Sequence, residues 1–215
     1  MKNILVVGTG RFGRYAIEAL HSLGHQILAI DRHEERINKV LPMVTGAEIG
    51  DSTDMQFMQS LGVEDFNLCI VAIGDDFLSS LETAAVLKDL GAKYIVARAT
   101  GESQEKLLKR CGADVVVFPE RQLGRWTAIR YSADNILDYI ELEDGFTILK
   151  VDTPAEWDGK SLADLDVRNR YGINILGIDD HGRMSMSINS ETVMVADRDI
   201  LVLGKSEDLQ KVFHY

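Results

Sequence analysis

The stretch N-I-L-V-V-G-T-G-R-F-G, residues 3–13, decides the fold of the first half of the chain. An apolar run breaks at the motif G-T-G-R-F-G, residues 8–13, and a helical pattern of apolar residues follows it. A second apolar run then ends at Asp31, 23 residues after Gly8. Strand, glycine turn, helix, strand and terminal acid in this order are typical of a dinucleotide-binding unit.

Each residue of this unit has a physical role. Gly8 allows a tight turn, Gly10 lets backbone N–H groups approach a phosphate, and Gly13 lets the helix pack close to the strand. The phosphates are expected at the positive end of the helix. Asp31 would accept hydrogen bonds from two ribose hydroxyls and would repel a 2′-phosphate, which disfavours an NADP-type ligand. The alternative is a purely structural glycine turn, and the register of all five features favours a nucleotide site.

Composition limits the function classes. The 215 residues include 34 Asp and Glu against 23 Lys and Arg, a net charge of −11, so no basic face for nucleic acid is expected. With 46% hydrophobic residues, the chain is expected to fold into a moderate domain plus a smaller one. The sequence shows neither a membrane-span pattern nor a signal peptide, which predicts a soluble, cytoplasmic protein. Cys69 and Cys111 lack metal or disulfide spacing and are expected to be reduced thiols.

Six apolar segments alternate with helical patterns before Pro119. This alternation predicts an α/β fold, a doubly wound parallel sheet of the Rossmann-like type, with its ligand crevice at the carboxyl ends of the strands. The predicted strands are residues 4–7, 26–30, 45–50, 68–73, 94–98 and 115–118.

The pattern changes after Pro119. Residues 120–142 contain no proline and are predicted to form mainly a long helix. From residue 146 onward strand patterns dominate, including one over 183–188, together with a short helix over 160–165 and a last helix capped by Ser206. We therefore expect a Rossmann-like domain over 1–119, a crossover helix and linker over 120–142, and a smaller α+β domain over 143–215.

Several segments together resemble the regulator of K⁺ conductance (RCK) family, the cytosolic regulatory subunits of the KtrA/TrkA type. They are G-T-G-R-F-G at 8–13, G-D-S-T at 50–53, V-A-I-G at 71–74, F-P-E at 118–120 and V-R-N-R-Y-G-I-N-I at 167–175, and the likeness covers nearly the whole chain. The resemblance implies an RCK N (TrkA-N) domain followed by an RCK C (TrkA-C) domain. It also implies a homo-oligomer, dimers assembled into an octameric ring, docked on an integral membrane K⁺ translocating subunit of the KtrB/TrkH type and controlled by adenine nucleotides.

Motif and resemblance together define a nucleotide site, with ATP or ADP as the expected ligand and NAD(H) as the alternative. Its predicted residues are Gly8, Thr9, Gly10, Arg11, Phe12, Gly13, Asp31, Arg32, Asp51, Ser52, Ile73, Gly74 and Arg98.

Four of these positions, and also Glu120, have two interpretations each. Arg11 is either a surface arginine or, by resemblance, a contact to the phosphates of a nucleotide in the facing subunit. Asp51 and Ser52 cap the following helix or, by resemblance, contact adenine and ribose, and these two roles are compatible. Arg98 is either an ion-pair partner or a phosphate ligand. Glu120 is either a helix-terminal carboxylate or, by resemblance, a ligand of a divalent cation, Mg²⁺ or Ca²⁺, beside the phosphates.

The segment 167–175 also has two interpretations. In one, its arginines pair with Asp164 and Asp166 on the surface. In the other, by resemblance, it binds cyclic di-AMP at a dimer interface, where Arg168 would meet a phosphate and Asn174 a base edge. The residues expected to line the adenine pocket are Leu162, Ala163 and Ile175. This chain departs from the family pattern because the segment 187–189 lacks a proline and because Ala163 is smaller than the usual branched residue.

Two function classes remain, a regulatory binding module and an NAD-dependent oxidoreductase. An oxidoreductase needs a proton donor next to the nicotinamide and a substrate domain. No Tyr in this sequence is followed four positions later by Lys, no other catalytic constellation is evident, and the segment after the sheet is small. The sequence therefore predicts a regulator without catalytic residues, located at the inner face of the membrane through its partner.

Overall fold

The computed structural model describes residues 1–214, which form two compact units. The first unit comprises Met1–Arg121, and the second begins at Gln122. The first contains a six-stranded sheet and the second a five-stranded sheet. No helix within residues 1–214 is long and apolar enough to cross a membrane.

All six strands of the first unit run parallel, in the order β3-β2-β1-β4-β5-β6. They are β1 (Asn3–Val7), β2 (Gln26–Asp31), β3 (Gly46–Ile49), β4 (Leu68–Val71), β5 (Ile95–Arg98) and β6 (Val115–Val117). Helices connect them: α1 (Arg11–Ser22), α2 (Glu34–Asn38), α3 (Met55–Ser60), α4 (Phe77–Asp89) and α5 (Glu102–Arg110). The doubly wound prediction is confirmed, and the strand order reverses between β1 and β4, where such folds hold their ligands.

The central strand β1 shows why these segments form strands. Leu5 and Val7 belong to the hydrophobic core on one face of the sheet, whereas Ile4 and Val6 belong to the core on the other. All four are buried. A parallel strand covered on both faces must be apolar at consecutive positions, as the sequence is here.

The second unit is built on an antiparallel sheet in the order β10-β9-β11-β8-β7. Its strands are β7 (Ile136–Glu141), β8 (Phe146–Asp152), β9 (Asn174–Asp180), β10 (Arg183–Ser185) and β11 (Asp199–Lys205). The helices are α7 (Leu162–Leu165), α8 (Val167–Tyr171) and α9 (Ser206–Phe213), and α6 (Pro119–Ser132) runs into this unit from the first. Leu149, Val202 and Phe213 belong to its core. The predicted small α+β domain is thus present, and β10 ends at Ser185, short of the expected residue 188.

The helix predicted over 120–142 is wrong beyond Ser132. Residues 136–141 form β7, which pairs with β8, so a strand of the second sheet precedes residue 143. The register shifts between Ile136 and Asp138, and Ile136 and Tyr139 are both buried although they lie three residues apart. A β-bulge of this kind imitates the spacing of a helix in the sequence.

We expect Gly13→Ala to destabilise the fold while Gly10→Ala does not. A Cβ at Gly13 would collide with the carbonyl oxygen of Gly8, whereas no atom of the described chain lies within 4 Å of a Cβ at Gly10. Forcing a methyl group into the closed position costs about 3 kcal/mol of unfolding free energy, and at the open one about 0.5 kcal/mol or less. Urea denaturation of both variants measures this. Equal losses would show that Gly13 does not fix the packing of α1 on the sheet.

Candidate nucleotide-binding site

A cleft of about 380 Å³ opens at the carboxyl ends of the strands of the first unit. It brings together most residues of the predicted nucleotide site, namely Gly8, Thr9, Gly10, Arg11, Asp31, Arg32, Ser52, Ile73, Gly74 and Arg98. Phe12, Gly13 and Asp51 are not among the lining residues. Gly13 is buried under the turn, and Phe12, the second residue of α1, is half-buried and packs against the core.

The glycine turn forms one wall of this cleft. Gly8 has a φ of +92°, and its N–H donates to the carbonyl oxygen of Ile30 at 2.7 Å, which ties the turn to β2. Gly10 is the N-cap of α1, and no side chain within residues 1–214 caps it. Because the first N–H groups of a helix lack acceptors within the helix, this open end can bind an anion.

Asp31 is the most constrained polar group of the cleft, with only 5% of its surface exposed. One carboxylate oxygen accepts hydrogen bonds from the N–H and hydroxyl of Thr9, at 2.8 and 3.1 Å. The other accepts from the N–H of His33 at 2.9 Å and lies 3.0 Å from its ring Nδ1. Burial raises the pKa of Asp31, but these hydrogen bonds outweigh it, so the pKa lies below its usual value. The carboxylate is therefore ionised and held in one orientation.

Two arginines span the cleft next to Asp31. Arg32 donates to the hydroxyl of Ser79 at 3.0 Å, and its guanidinium lies 3.9 Å from the carboxylates of Asp51 and Asp76. Arg36 lies 3.9 Å from Asp31 and 3.6 Å from Asp75. These contacts connect the loops that follow β2, β3 and β4.

Part of this lining was not predicted from the sequence. The missed charged residues are Arg14, His33, Arg36, Lys39, Asp75 and Asp76. Arg14 on α1 and Arg36 on α2 lie in segments whose apolar pattern predicted only a helix. The signal available for the missed residues was their place within eight residues after the carboxyl ends of β1, β2 and β4, where doubly wound sheets bind ligands.

Asp51 and Ser52 do not cap the next helix, so that interpretation is wrong. The N-cap of α3 is Asp54, whose side chain accepts the N–H groups of the first turn. Asp51 instead accepts from the N–H and hydroxyl of Thr53, at 3.0 and 2.8 Å. The buried hydroxyl of Ser52 bonds that of Thr83 on α4 at 2.7 Å. Ser52 thereby packs the loop after β3 against α4 at the cleft.

Arg98 and Glu120 form an ion pair at the opposite end of the cleft. The guanidinium of Arg98 packs so closely on Gly74 that a Cβ there would collide with it. It also lies 5.7 Å from the ring centroid of Phe12. Burial raises the pKa of Glu120, but its own backbone N–H and the charges of Arg98 and Arg11 outweigh this and lower it. The ion-pair interpretation of Arg98 therefore holds, and the same side chain lines the cleft.

The segment 167–175 brings two of its predicted ligand residues into contact. Arg168 donates from Nε to the side-chain oxygen of Asn174 at 2.6 Å. Asp164 is engaged by the hydroxyl of Ser161, and Asp166 accepts from the amide of Asn169 at 2.7 Å. In the described part of the chain, the expected ion pairs of the arginines with these two aspartates are not formed.

The three residues expected to line an adenine pocket differ in exposure. Leu162 and Ile175 are half-buried against the core of the second unit, whereas Ala163 is exposed. The N–H groups of Leu162 and Ala163 donate to the carbonyl oxygens of Thr192 and Ser190, at 3.0 and 2.9 Å. The loop before β11 therefore holds α7 in place.

We expect the stability of the fold to depend on pH through Asp31. Its folded-state pKa is lowered relative to the unfolded value of about 3.9, so its contribution is complete above that value and is lost as pH falls through the folded pKa. The stability gap between the wild type and Asp31→Asn should therefore shrink steadily below about pH 5. Urea denaturation at several pH values measures it, with the exposed Glu48→Gln as control. A gap that does not change with pH would contradict this role.

Comparison with known proteins gives the same two-part division. Residues 4–119 match the TrkA-N domain and residues 146–215 match the TrkA-C domain. Ktr system potassium uptake protein A of Bacillus subtilis (strain 168) is 34% identical over 98% of this chain and 95% of its own length. Ktr system potassium uptake protein C of the same organism gives the same values. The protein A of Vibrio alginolyticus is 26% identical over 97% and 94%.

Solved structures agree on the fold. The GsuK RCK domain superimposes with a TM-score of 0.69 at 21% identity, over 99% of this chain and 47% of that one. The GsuK channel bound to NAD matches with a TM-score of 0.69 at 21% identity, over 97% and 38%. The chain thus spans about half or less of those polypeptides. On the strength of its two matched domains and its relatives, the chain belongs to the regulator of K⁺ conductance family, of the KtrA/TrkA type.

Proposed function

We propose that this protein is a nucleotide-sensing regulatory subunit of a K⁺ uptake system. The observation that carries the proposal is the cleft of the first unit, where an oriented, ionised Asp31 is bonded to Thr9, next to the uncapped N-terminus of α1. A ribose with two free hydroxyls and a chain of phosphates match these two features. The relatives that share both domains are named potassium uptake proteins.

The proposed ligand is an adenine nucleotide, ATP or ADP, with NAD(H) as the alternative. Three arginines, Arg11, Arg14 and Arg98, line the phosphate side of the cleft and favour a ligand with several phosphates. One structural neighbour is the GsuK channel bound to NAD, which supports a nucleotide as the class of ligand. The proposed binding residues are those predicted from the sequence, with Phe12 and Gly13 acting by shaping the turn.

A divalent cation, Mg²⁺ or Ca²⁺, would need ligands from outside the chain. Among residues 1–214, no three His, Cys, Asp or Glu side chains are grouped to hold a metal. Glu120 could contribute one carboxylate, and the remaining ligands would come from nucleotide phosphates or a second copy.

The regulatory interpretation extends to assembly. We propose that the first 119 residues sense the nucleotide and that residues 120–142, which contain all of α6 after Pro119 and all of β7, connect them to the second unit. The chain would act in the cytoplasm as a homo-oligomer, dimers in an octameric ring, on an integral membrane K⁺ translocating subunit of the KtrB/TrkH type. An oxidoreductase is the alternative, and the names of the relatives favour regulation over catalysis.

Asp31→Ala should weaken the binding of ATP, ADP and NAD. The substitution removes two charge-assisted hydrogen bonds to the ribose, which corresponds to roughly 2–4 kcal/mol of binding free energy. Isothermal titration calorimetry measures the loss, and Glu48→Ala, an exposed carboxylate on β3 outside the cleft, is the matched control. Affinities equal to wild type for all three nucleotides would refute the proposed site.

We further propose that the second unit binds cyclic di-AMP through the segment 167–175. The contact between Arg168 and Asn174 supports this because it holds a cation beside a base-reading amide. Leu162, Ala163 and Ile175 would line the adenine pocket.

Arg168→Ala should abolish cyclic di-AMP binding by the full chain, since it removes the phosphate contact. Arg170→Ala is the control, because Arg170 is exposed and lies over the Tyr171 ring, at 5.3 Å from its centroid. Thermal shift and calorimetry at high micromolar ligand provide the readout. Wild-type protein that shows neither heat nor a thermal shift would leave this segment without a ligand.

A further inference from the structure

Arg98 has an unusual environment for an arginine. Its side chain is only 18% exposed, between Gly74 and the ring of Phe12, and it lines the cleft. A guanidinium carries five N–H donors, yet among residues 1–214 Arg98 forms a single hydrogen bond, from Nη2 to Glu120. Its Nε is fully buried and has no partner in residues 1–214. Because an unsatisfied buried donor is costly, the side chain is poised for a further acceptor.

Glu120 balances the cations at this end of the cleft. Its carboxylate bonds Arg98 and lies close enough to Arg11 to feel its charge. Both arginines line the cleft, whereas Glu120 does not, and its side chain is 55% exposed. The next charged residue, Arg121, pairs with Glu105 at 3.4 Å and lies over Phe118. Glu120 is therefore the counter-ion of the two guanidinium groups, although it does not line the cleft itself.

We propose that Arg98 reads the terminal phosphate of the nucleotide by exchanging Glu120 for phosphate oxygens. The inference rests on the proposed nucleotide site and adds the residue that distinguishes nucleotides by their number of phosphates. A phosphate offers up to three oxygens and more charge than a carboxylate, and it can accept two parallel N–H bonds from one guanidinium. The exchange would also provide acceptors for the Nη1 and Nη2 N–H groups that Glu120 leaves unpaired.

The exchange has a consequence for α6. Glu120 is the second residue of this helix, which starts in the first unit and ends in the second. A long nucleotide releases Glu120 from Arg98, and a short one leaves the pair intact. The number of phosphates therefore determines whether the Glu120 carboxylate, in the first turn of α6, is free or bound to Arg98.

The direction in which Glu120→Gln changes the affinity for ATP tests the proposal. Without the competing carboxylate, Arg98 is free, so ATP should bind about 3- to 10-fold more tightly in the presence of EDTA, while AMP affinity stays as in wild type. Arg98→Gln should lower the ratio of ATP to AMP affinity about 10-fold or more. In the double variant the gain from Glu120→Gln should disappear. Arg121→Gln, a neighbouring paired arginine outside the cleft, is the control.

Calorimetry on the full chain distinguishes the outcomes. Weaker ATP binding by Glu120→Gln, or an equal loss of ATP and AMP affinity in Arg98→Gln, would overturn the exchange while leaving the nucleotide site intact. A wild-type protein that binds ATP and AMP equally would overturn it too. If neither nucleotide binds wild-type protein, the proposed function itself fails. Should Arg98→Gln not fold, the Glu120→Gln measurement alone still decides.

Discussion

The hydrogen bonds between Asp31 and Thr9 are the interaction on which the first unit and its site depend. They join the glycine turn after β1 to the end of β2, and the bond from Gly8 to Ile30 reinforces this link. The carboxylate of Asp31 is buried, and it stays ionised because these hydrogen bonds stabilise its negative charge. The same geometry presents it to a ribose. Structural and binding roles therefore coincide in one group.

The charge of the cleft lining is opposite to the net charge of the chain. The chain has a net charge of −11, yet the cleft concentrates basic side chains, namely Arg11, Arg14, Arg32, Arg36, Lys39 and Arg98. The carboxylates that line it with them are Asp31, Asp75 and Asp76. A cationic cleft in an acidic protein attracts small anions while the overall field repels nucleic acid. This distribution is consistent with a nucleotide as the ligand.

The parts predictable from the sequence were those determined by local pattern. The continuous apolar run 4–7, the glycine motif and Asp31 specify strand, turn, helix and strand within about thirty residues, and the alternation predicts a doubly wound parallel sheet. The order of its strands is known only from the structure. β7 was missed because its bulge gives Ile136 and Tyr139 the spacing of a helix. Local pattern was also insufficient at the start of α3, where Asp51 and Ser52 were the expected caps and Asp54 accepts the N–H groups of the first turn instead.

Contacts between distant residues could not be read from the chain. Arg98 and Glu120 are separated by 22 residues, and nothing in the sequence shows that the strand end and the helix start meet. His33 and Asp31 are only two residues apart, but whether they contact each other depends on how the chain turns between β2 and α2. The most direct test of the account is to identify by chromatography and mass spectrometry the nucleotide that co-purifies with the full chain. The account predicts an adenine nucleotide in near-stoichiometric amount; a protein that carries none and binds none of ATP, ADP or NAD on addition would contradict it.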